Sequence, residues 1–306
     1  MAIREIGRCK RITASGGGTL VAPAYESYRL RDLLCVPSSN DTYLTVQIGD
    51  RTVLKIRVKG KSGNHAAYPG AKTGQLYEAV PGTLMALLRK AGFDMSVPIP
   101  AGYTLTVSRY AETGDVALVF DAYDAADVRP DEPNGPDAKI LRYLHYLTNS
   151  AAITSSPVTL DTSLMWSGGE AWPVGGVDVP DGVTINLAAI LGAPCARGNN
   201  TANKGYTTAL QLWREGEVLF DADDQVGLPF GGIAATTADA DTYGGSNSII
   251  GPATAEDGHP PLILVPPLVF PEGSIVTPKV TVTGAASGGI GAAGLDLCLA
   301  LERIRA

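Results

Sequence analysis

The sequence predicts an all-β protein built from two tandem antiparallel β-sandwich or jelly-roll domains, with one or two short helices. Three observations indicate this fold: many short runs in which apolar and polar residues alternate, few runs with helical spacing, and a similar order of segments in the two halves. The chain has 306 residues, enough for two domains that each bury a core. Its 45% hydrophobic and 18% charged residues exclude a disordered chain.

Alternating runs predict the strands. Residues 43–48 and 52–58 alternate on either side of a Gly-Asp turn, which predicts a β-hairpin. Residues 103–107 and 116–123 repeat the alternation. In the second half, Pro278 lies within such a run and predicts an edge strand or a bulge. The runs of the second half are residues 208–213, 218–220, 261–265, 275–282 and 295–301.

Two segments have helical features. Residues 82–92 are apolar and end in a glycine, as short helices do. Residues 137–147 follow Pro136, which suits the first turn of a helix. The apolar positions 140, 141, 144 and 147 of this segment fall on one helical face, so a second helix is predicted here.

The domain boundary is predicted at a segment rich in proline and charge, residues 129–136. It divides the chain into a first domain, residues 1–135, and a second domain with longer loops, residues 136–306. A polar, glycine-rich stretch at residues 236–247 is typical of a contact loop on a rigid β scaffold.

The two halves contain similar segments in the same order. The offset between matched residues grows steadily along the chain, as expected if one fold is duplicated and the second copy has longer loops. A proline and a glycine precede a strand at corresponding places, because proline fixes φ and glycine permits positive φ in a tight turn. The matched residues are Leu34 and Ile190, Gln47 and Gln211, Gly102 and Gly273, and Val116 and Leu295.

The stretch IPAGYTLTV at residues 99–107 resembles the late strands of viral jelly rolls. Two such domains in one chain of this length resemble the double jelly-roll capsid proteins of icosahedral viruses. The resemblance implies upright barrels, three chains in a pseudo-hexagonal capsomer, and towers built from inserted loops. Residues 233–260 are then the candidate tower or inter-subunit loop.

The function expected from this resemblance is that of a major capsid protein, which self-assembles in the host cytoplasm into a virion. Its partners would be copies of itself, with a trimer favoured and a pentamer as the alternative, and other capsid proteins. A virion turret, spike or decoration protein would have a similar sequence. A carbohydrate-binding adhesion module is a further alternative.

Catalytic motifs are missing from the sequence. It contains no H-E-x-x-H metal pair, no G-x-S-x-G elbow and no phosphate-binding loop. The four cysteines form no C-x-x-C pair. We therefore expect no enzyme and no cofactor, although a sandwich hydrolase with two paired carboxylates remains open.

Two small groups of residues are the candidate binding sites. Asp221, Asp223 and Asp224 could hold calcium through their carboxylates, but the spacing of an EF-hand is not met, and a solvated turn is the simpler interpretation. Trp166, Trp172 and Tyr243 are candidate interface or ligand contacts, the tryptophans because they could stack on a sugar. Large aromatic residues also serve as core anchors, so both interpretations stand.

Charge argues against a duplex-binding protein. The formal net charge is −7, whereas such proteins present a basic face. The exception is a basic arm that could contact nucleic acid or a neighbouring subunit, or be a solvated terminus; its residues are Arg4, Arg8, Lys10 and Arg11. The first strand is expected only after about 18 residues. No run of about 18 apolar residues predicts a membrane span, so we expect a soluble chain.

Overall fold

The computed structural model describes residues 3–13, 17–35, 42–58, 84–109, 115–148, 150–151, 157–165, 172–192, 206–219, 228–233, 262–283 and 296–306. Most of these residues lie in strands of antiparallel sheets, which confirms the predicted all-β class with two sandwiches. The chain divides into two compact units. The first consists mainly of residues up to Leu144 and the second mainly of residues from His145 to Leu301.

Among the described residues, eight strands and one helix form the first unit. One sheet has the order β1-β8-β3-β6 and the other has the order β2-β7-β4-β5. The elements are β1 Ile3–Thr13, β2 Gly18–Val21, β3 Glu26–Cys35, β4 Thr42–Ile48, β5 Arg51–Val58, α1 Leu84–Lys90, β6 Val97–Ile99, β7 Thr104–Arg109 and β8 Asp115–Asp124.

The strand order of this unit is that of a jelly roll. Strands pair from the outside of the sequence inwards, β1 with β8, β2 with β7, β3 with β6 and β4 with β5, as in one long hairpin. Further pairing of β3 with β8 and of β4 with β7 rolls this hairpin into two facing sheets. Such a roll of eight strands is the jelly-roll architecture.

The second unit repeats this order with two additions. Its sheets have the orders β11-β9-β18-β12-β16 and β10-β17-β13-β14, and β15 also pairs with β13. If β11 is set aside and β14 and β15 are counted as one interrupted strand, each strand has a counterpart in the first unit. The strands are β9 Ile140–Thr148, β10 Val158–Thr159, β11 Thr162–Met165, β12 Val183–Gly192, β13 Tyr206–Arg214, β14 Glu217–Val218, β15 Leu228–Ile233, β16 Leu262–Phe270, β17 Val276–Thr283 and β18 Asp296–Arg305.

Three of the four pairs matched between the halves occupy equivalent places in the two units, and Leu295 of the fourth pair lies outside the described residues. Gly102 and Gly273 both lie in the turn before the seventh strand, with φ of 83° and 76°. Gly102 N donates to Ala22 O at 2.9 Å, and Gly273 N donates to Val179 O at 2.8 Å. The same turns are closed by hydrogen bonds from Tyr103 N to Pro100 O and from Ser274 N to Pro271 O, at 3.0 and 3.1 Å. Identical backbone bonding in both turns is what a duplicated fold would produce.

The first predicted helix is confirmed as α1, but the second predicted helix is wrong. Residues 137–147 instead lead into β9, an inner strand that pairs with β11 and β18. Tyr143, His145 and Tyr146 are buried there, although none of them belongs to the predicted apolar helix face. A strand inside a sheet is buried on both faces, and this burial overrode the helical spacing.

The segment predicted as a linker is a compact series of turns against the first unit. Asn134 is fully buried and has a φ of 64°, in the left-handed region. Its Oδ1 accepts a hydrogen bond from Arg142 N at 2.6 Å, and its Nδ2 donates to Met95 O at 3.4 Å. The side chain therefore fastens this segment to the residue that leads into β6.

Asn134→Ala is expected to destabilise the protein by about 2 kcal/mol. The substitution leaves the Arg142 N–H without its acceptor, and alanine tolerates a φ of 64° less well than asparagine. Asn134→Gly is the matched control, because glycine accepts the backbone conformation and removes only the side-chain bonds. Urea unfolding monitored by far-UV circular dichroism measures both variants, and equal stability of N134A and wild type would contradict the assigned role.

Candidate assembly surface

The edge strand β16 of the second unit is an exposed apolar surface. It reads LILVPPLVF and carries no charge. Phe270 is its one buried residue, whereas Val265 is 85% exposed and Val269 is 53% exposed. Proteins commonly protect an edge strand with charge, with a short length or with a cover, because its free backbone groups can pair with another chain.

A bulge pushes the middle of β16 away from its neighbour. Leu268 pairs with Leu187 and Ile263 with Ala189, so two steps along β12 correspond to five steps along β16. Pro266 and Pro267 lie in this bulge and have no backbone N–H to give to a ladder. The signal in the sequence was the proline pair inside an apolar run, which indicates an edge rather than an inner strand.

The equivalent edge of the first unit is covered. Strand β6 occupies the place of β16, but it has three residues and all of them are buried. The turns around Asn134 lie against its start, as the bond to Met95 O shows, and Arg142 Nη1 donates to Asp94 O at 3.1 Å. The first unit thus protects with its own chain the edge that the second unit leaves exposed.

The opposite edge shows the reverse arrangement. In the second unit β11 pairs with β9, Thr162 opposite Thr148 and Ser163 opposite Leu147, and so covers that edge. In the first unit β1 ends the sheet, and every residue of it except Arg8 and Ile12 is exposed. Among the described residues, the sheets that contain β1 and β16 therefore each retain one exposed long edge.

The four basic residues of the predicted arm lie on β1. The structure therefore corrects the expectation of an arm before the first strand, because the strand starts at Ile3. Arg4 pairs with Asp124, Arg11 pairs with Asp115, and Lys10 Nζ donates to Thr19 O at 3.0 Å. The sequence missed this strand because its charged residues hide the alternation.

Arg8 and Glu26 form the most enclosed ion pair of β1. The Arg8 guanidinium donates two hydrogen bonds to the Glu26 carboxylate, at 2.8 and 3.3 Å, and Tyr28 Oη donates a third at 2.9 Å. These bonds, first that from Arg8, hold the pKa of Glu26 below its usual value. Burial raises the pKa of Tyr28, and the neighbouring Glu26 carboxylate adds to this effect. The pair anchors β1 to β3 rather than leaving Arg8 available for a ligand.

Trp172 is a core residue, and its predicted role as a surface contact is wrong. Its side chain is 1% exposed, and its ring lies 5.0 Å from that of Phe270 between centroids. The indole Nε1 donates to Ser274 O at 3.0 Å. An indole that is buried in the interior, packed against Phe270 and hydrogen-bonded has no face left for a sugar.

The other predicted contacts lie outside the described residues. These are Trp166, Tyr243 and the three aspartates Asp221, Asp223 and Asp224. Within the described part of the chain, no group of three or more metal-binding side chains is found. The same part contains no helix long and apolar enough to cross a membrane.

His145 is one of the buried polar residues of the second unit. It is fully buried on β9, and burial lowers its pKa to about 4, while a hydrogen bond with the Trp172 backbone opposes this shift. The imidazole is therefore neutral at pH 7. It belongs to the packed interior with Trp172.

No protein-family profile matches this chain, and no curated protein matches it. Several solved structures are similar to it, among them the following three. Peptide-N(4)-(N-acetyl-β-D-glucosaminyl) asparagine amidase has 10% identity and a TM-score of 0.27, over 98% of this chain and 96% of the other. PNGase F, a glycosylasparaginase from Flavobacterium meningosepticum, has 8% identity and a TM-score of 0.27, over 100% and 94%. Recombinant peptide:N-glycanase F has 9% identity and a TM-score of 0.26, over 100% and 93%.

These matched proteins are enzymes, which contradicts the expectation that the chain is not an enzyme. That expectation is withdrawn. It rested on missing sequence motifs, whereas a β-sandwich can bring catalytic groups together from distant parts of its sequence. Because their TM-scores are far below 0.5, these similarities do not assign amidase activity to this chain.

Proposed function

We propose that this chain is a structural subunit of a virus particle, a double jelly-roll coat protein that assembles with copies of itself. The observation that carries the proposal is the strand order. Both units roll the same eight-strand hairpin into two sheets, and coat proteins of viruses are among the principal users of this architecture.

The exposed edge β16 supports an assembling role. The five residues after its half-buried start are valine, proline or leucine. Among them, Val265 is almost wholly open to water. Exposed apolar surface of this kind marks a contact with another macromolecule. In a closed shell many such contacts act together, so each can be weak.

We expect the purified chain to form trimers or larger closed assemblies, and Val265→Glu to weaken the association about a hundredfold. The glutamate would place an unpaired carboxylate in the contact, where its desolvation costs more than the valine contributed. Light scattering after size exclusion, across a salt and concentration series, measures the mass of both proteins.

Val21→Glu is the matched control, because Val21 is 54% exposed on β2 of the first unit and should leave the mass unchanged. A trimer supports a shell protein, and a pentamer supports a turret at a vertex. A monomer at every salt and protein concentration would overturn the proposal.

A further inference from the structure

We infer that strand β1 of one copy docks along strand β16 of the next copy, so that the subunits join head to tail. This inference rests on the proposed self-assembly and names the surface that performs it. It follows from the way each unit treats the two edges of one sheet.

Corresponding edges are covered in opposite ways in the two units. The first unit covers the β6 edge with the turns around Asn134 and leaves β1 exposed. The second unit covers the β9 edge with β11 and leaves β16 exposed. Edges in the facing sheets are less suitable, since β2 has four residues and β10 has two, and the side chains of β5 from Arg51 to Ile56 are buried or half-buried. One copy therefore offers two different long edges, β1 and β16, and β1 of one copy can dock on β16 of another.

The two exposed edges match in length and in apolar content. Strand β1 has eleven residues and β16 has nine. On β1, the side chains of Ile3 and Ile6 are 49% and 75% exposed. On β16, those of Val265 and Val269 are 85% and 53% exposed. Contact between the edges would remove these four side chains from water, at roughly 25 cal/mol for each Å² buried.

Charge favours a β1 edge over a second β16 edge as the occupant. Strand β1 carries four basic residues and one acidic residue. Strand β16 ends two residues before the exposed Glu272, whose carboxylate accepts a hydrogen bond from Gly182 N beside the exposed Asp181. Two β16 edges paired in parallel would bring these carboxylates together, whereas β1 brings Lys10, which has a carbonyl oxygen as its described partner.

The symmetry of the assembly follows from the difference between the edges. A contact between two different surfaces is heterologous, and repeating it closes into a ring or continues as a filament. The smallest ring is a two-fold dimer in which each copy gives β1 to one contact and β16 to the other. The inferred contact is therefore compatible with the expected trimer, which is the next larger ring.

Mixing two blocked variants tests the inference. Ile6→Glu blocks β1 and leaves β16 intact, and Val265→Glu blocks β16 and leaves β1 intact. We expect each variant to be monomeric alone and the mixture to form a one-to-one heterodimer through its single intact pair of edges. Native mass spectrometry resolves the species, because an affinity tag on one variant separates their masses. Unchanged far-UV circular dichroism shows that both variants are folded.

A disulfide supplies an independent readout. Cys9 is an exposed free thiol on β1, so Val265→Cys or Val269→Cys should form an intermolecular bond with Cys9 under mild oxidation. Which of the two reacts shows which part of β16 lies near Cys9. Adding Cys9→Ser to the same variant should abolish the β1-to-β16 bond.

The outcomes separate this inference from the proposed function. Heterodimers in the mixture, or the Cys9-dependent crosslink, support the head-to-tail contact. If the wild type assembles but the mixture stays monomeric and neither cysteine variant crosslinks, the inference is overturned and self-assembly stands. If Ile6→Glu alone forms a dimer that Val265→Glu cannot form, β16 pairs with itself. A wild type that never assembles overturns both.

Discussion

Trp172→Ala is expected to lower the free energy of unfolding by about 3–5 kcal/mol. The substitution empties the largest fully buried side-chain position, removes the ring contact with Phe270 and breaks the hydrogen bond to Ser274 O. Because Trp172 is 1% exposed, its removal leaves a buried cavity. Urea unfolding monitored by far-UV circular dichroism measures the loss.

Two further variants show where the loss comes from. Trp172→Phe keeps an aromatic ring against Phe270 and should recover more than half of the stability. Ser274 O also accepts a hydrogen bond from Val179 N, so it retains a donor in this variant. Tyr25→Ala is the surface control, because Tyr25 is 67% exposed and its loss should change stability by about 0.5 kcal/mol or less. A loss of the same size for W172A would contradict the core assignment.

Acidification is expected to destabilise the protein by about 3 kcal/mol between pH 6.5 and pH 4 through His145. Burial lowers the pKa of this imidazole from 6.5 to about 4 in the folded chain. In that interval the unfolded chain binds a proton that the folded chain does not, so stability falls as the pH falls. Below pH 4 both states are protonated, and the contribution becomes constant.

His145→Leu should remove this dependence, because leucine does not titrate. Urea unfolding between pH 7.5 and pH 5 avoids most of the titration of ordinary carboxylates. The double variant His65→Gln, His259→Gln is the matched control and should keep the wild-type slope. If that double variant flattened the slope while H145L did not, the effect would belong to the other histidines.

The repeat could be predicted from sequence because it depends on turns and alternation. Gln47 and Gln211 lie on β4 and β13, which are the fourth strands of their rolls when β11 is set aside. Gly102 and Gly273 occupy equivalent turns in the two units. Tight turns need particular residues, and half-buried strands need period-two patterns. Both requirements are local, so both leave a readable trace.

The errors arose where tertiary contacts decide the outcome. Residues 137–147 fit a helix by spacing, but inner-strand burial made them β9. Apart from its proline pair, the sequence of β16 gave no sign of its exposure, because an apolar run looks the same whether or not a neighbour covers it. Trp172 could be core or surface by residue type, and only its packing against Phe270 decides between them. Whether a distant segment covers a strand or a side chain cannot be read from the local sequence.

The position of β18 has a consequence for synthesis. This strand is the last in the sequence, yet it lies between β9 and β12 in the middle of its sheet. The ribosome synthesises β9 long before β18. The sheet of the second sandwich therefore lacks the strand between β9 and β12 until β18 emerges. The first sandwich meets the same condition at β8 and closes once Asp124 has left the exit tunnel. A nascent chain therefore carries one finished roll and one unfinished roll, and a chaperone that shields apolar strands would act on the second.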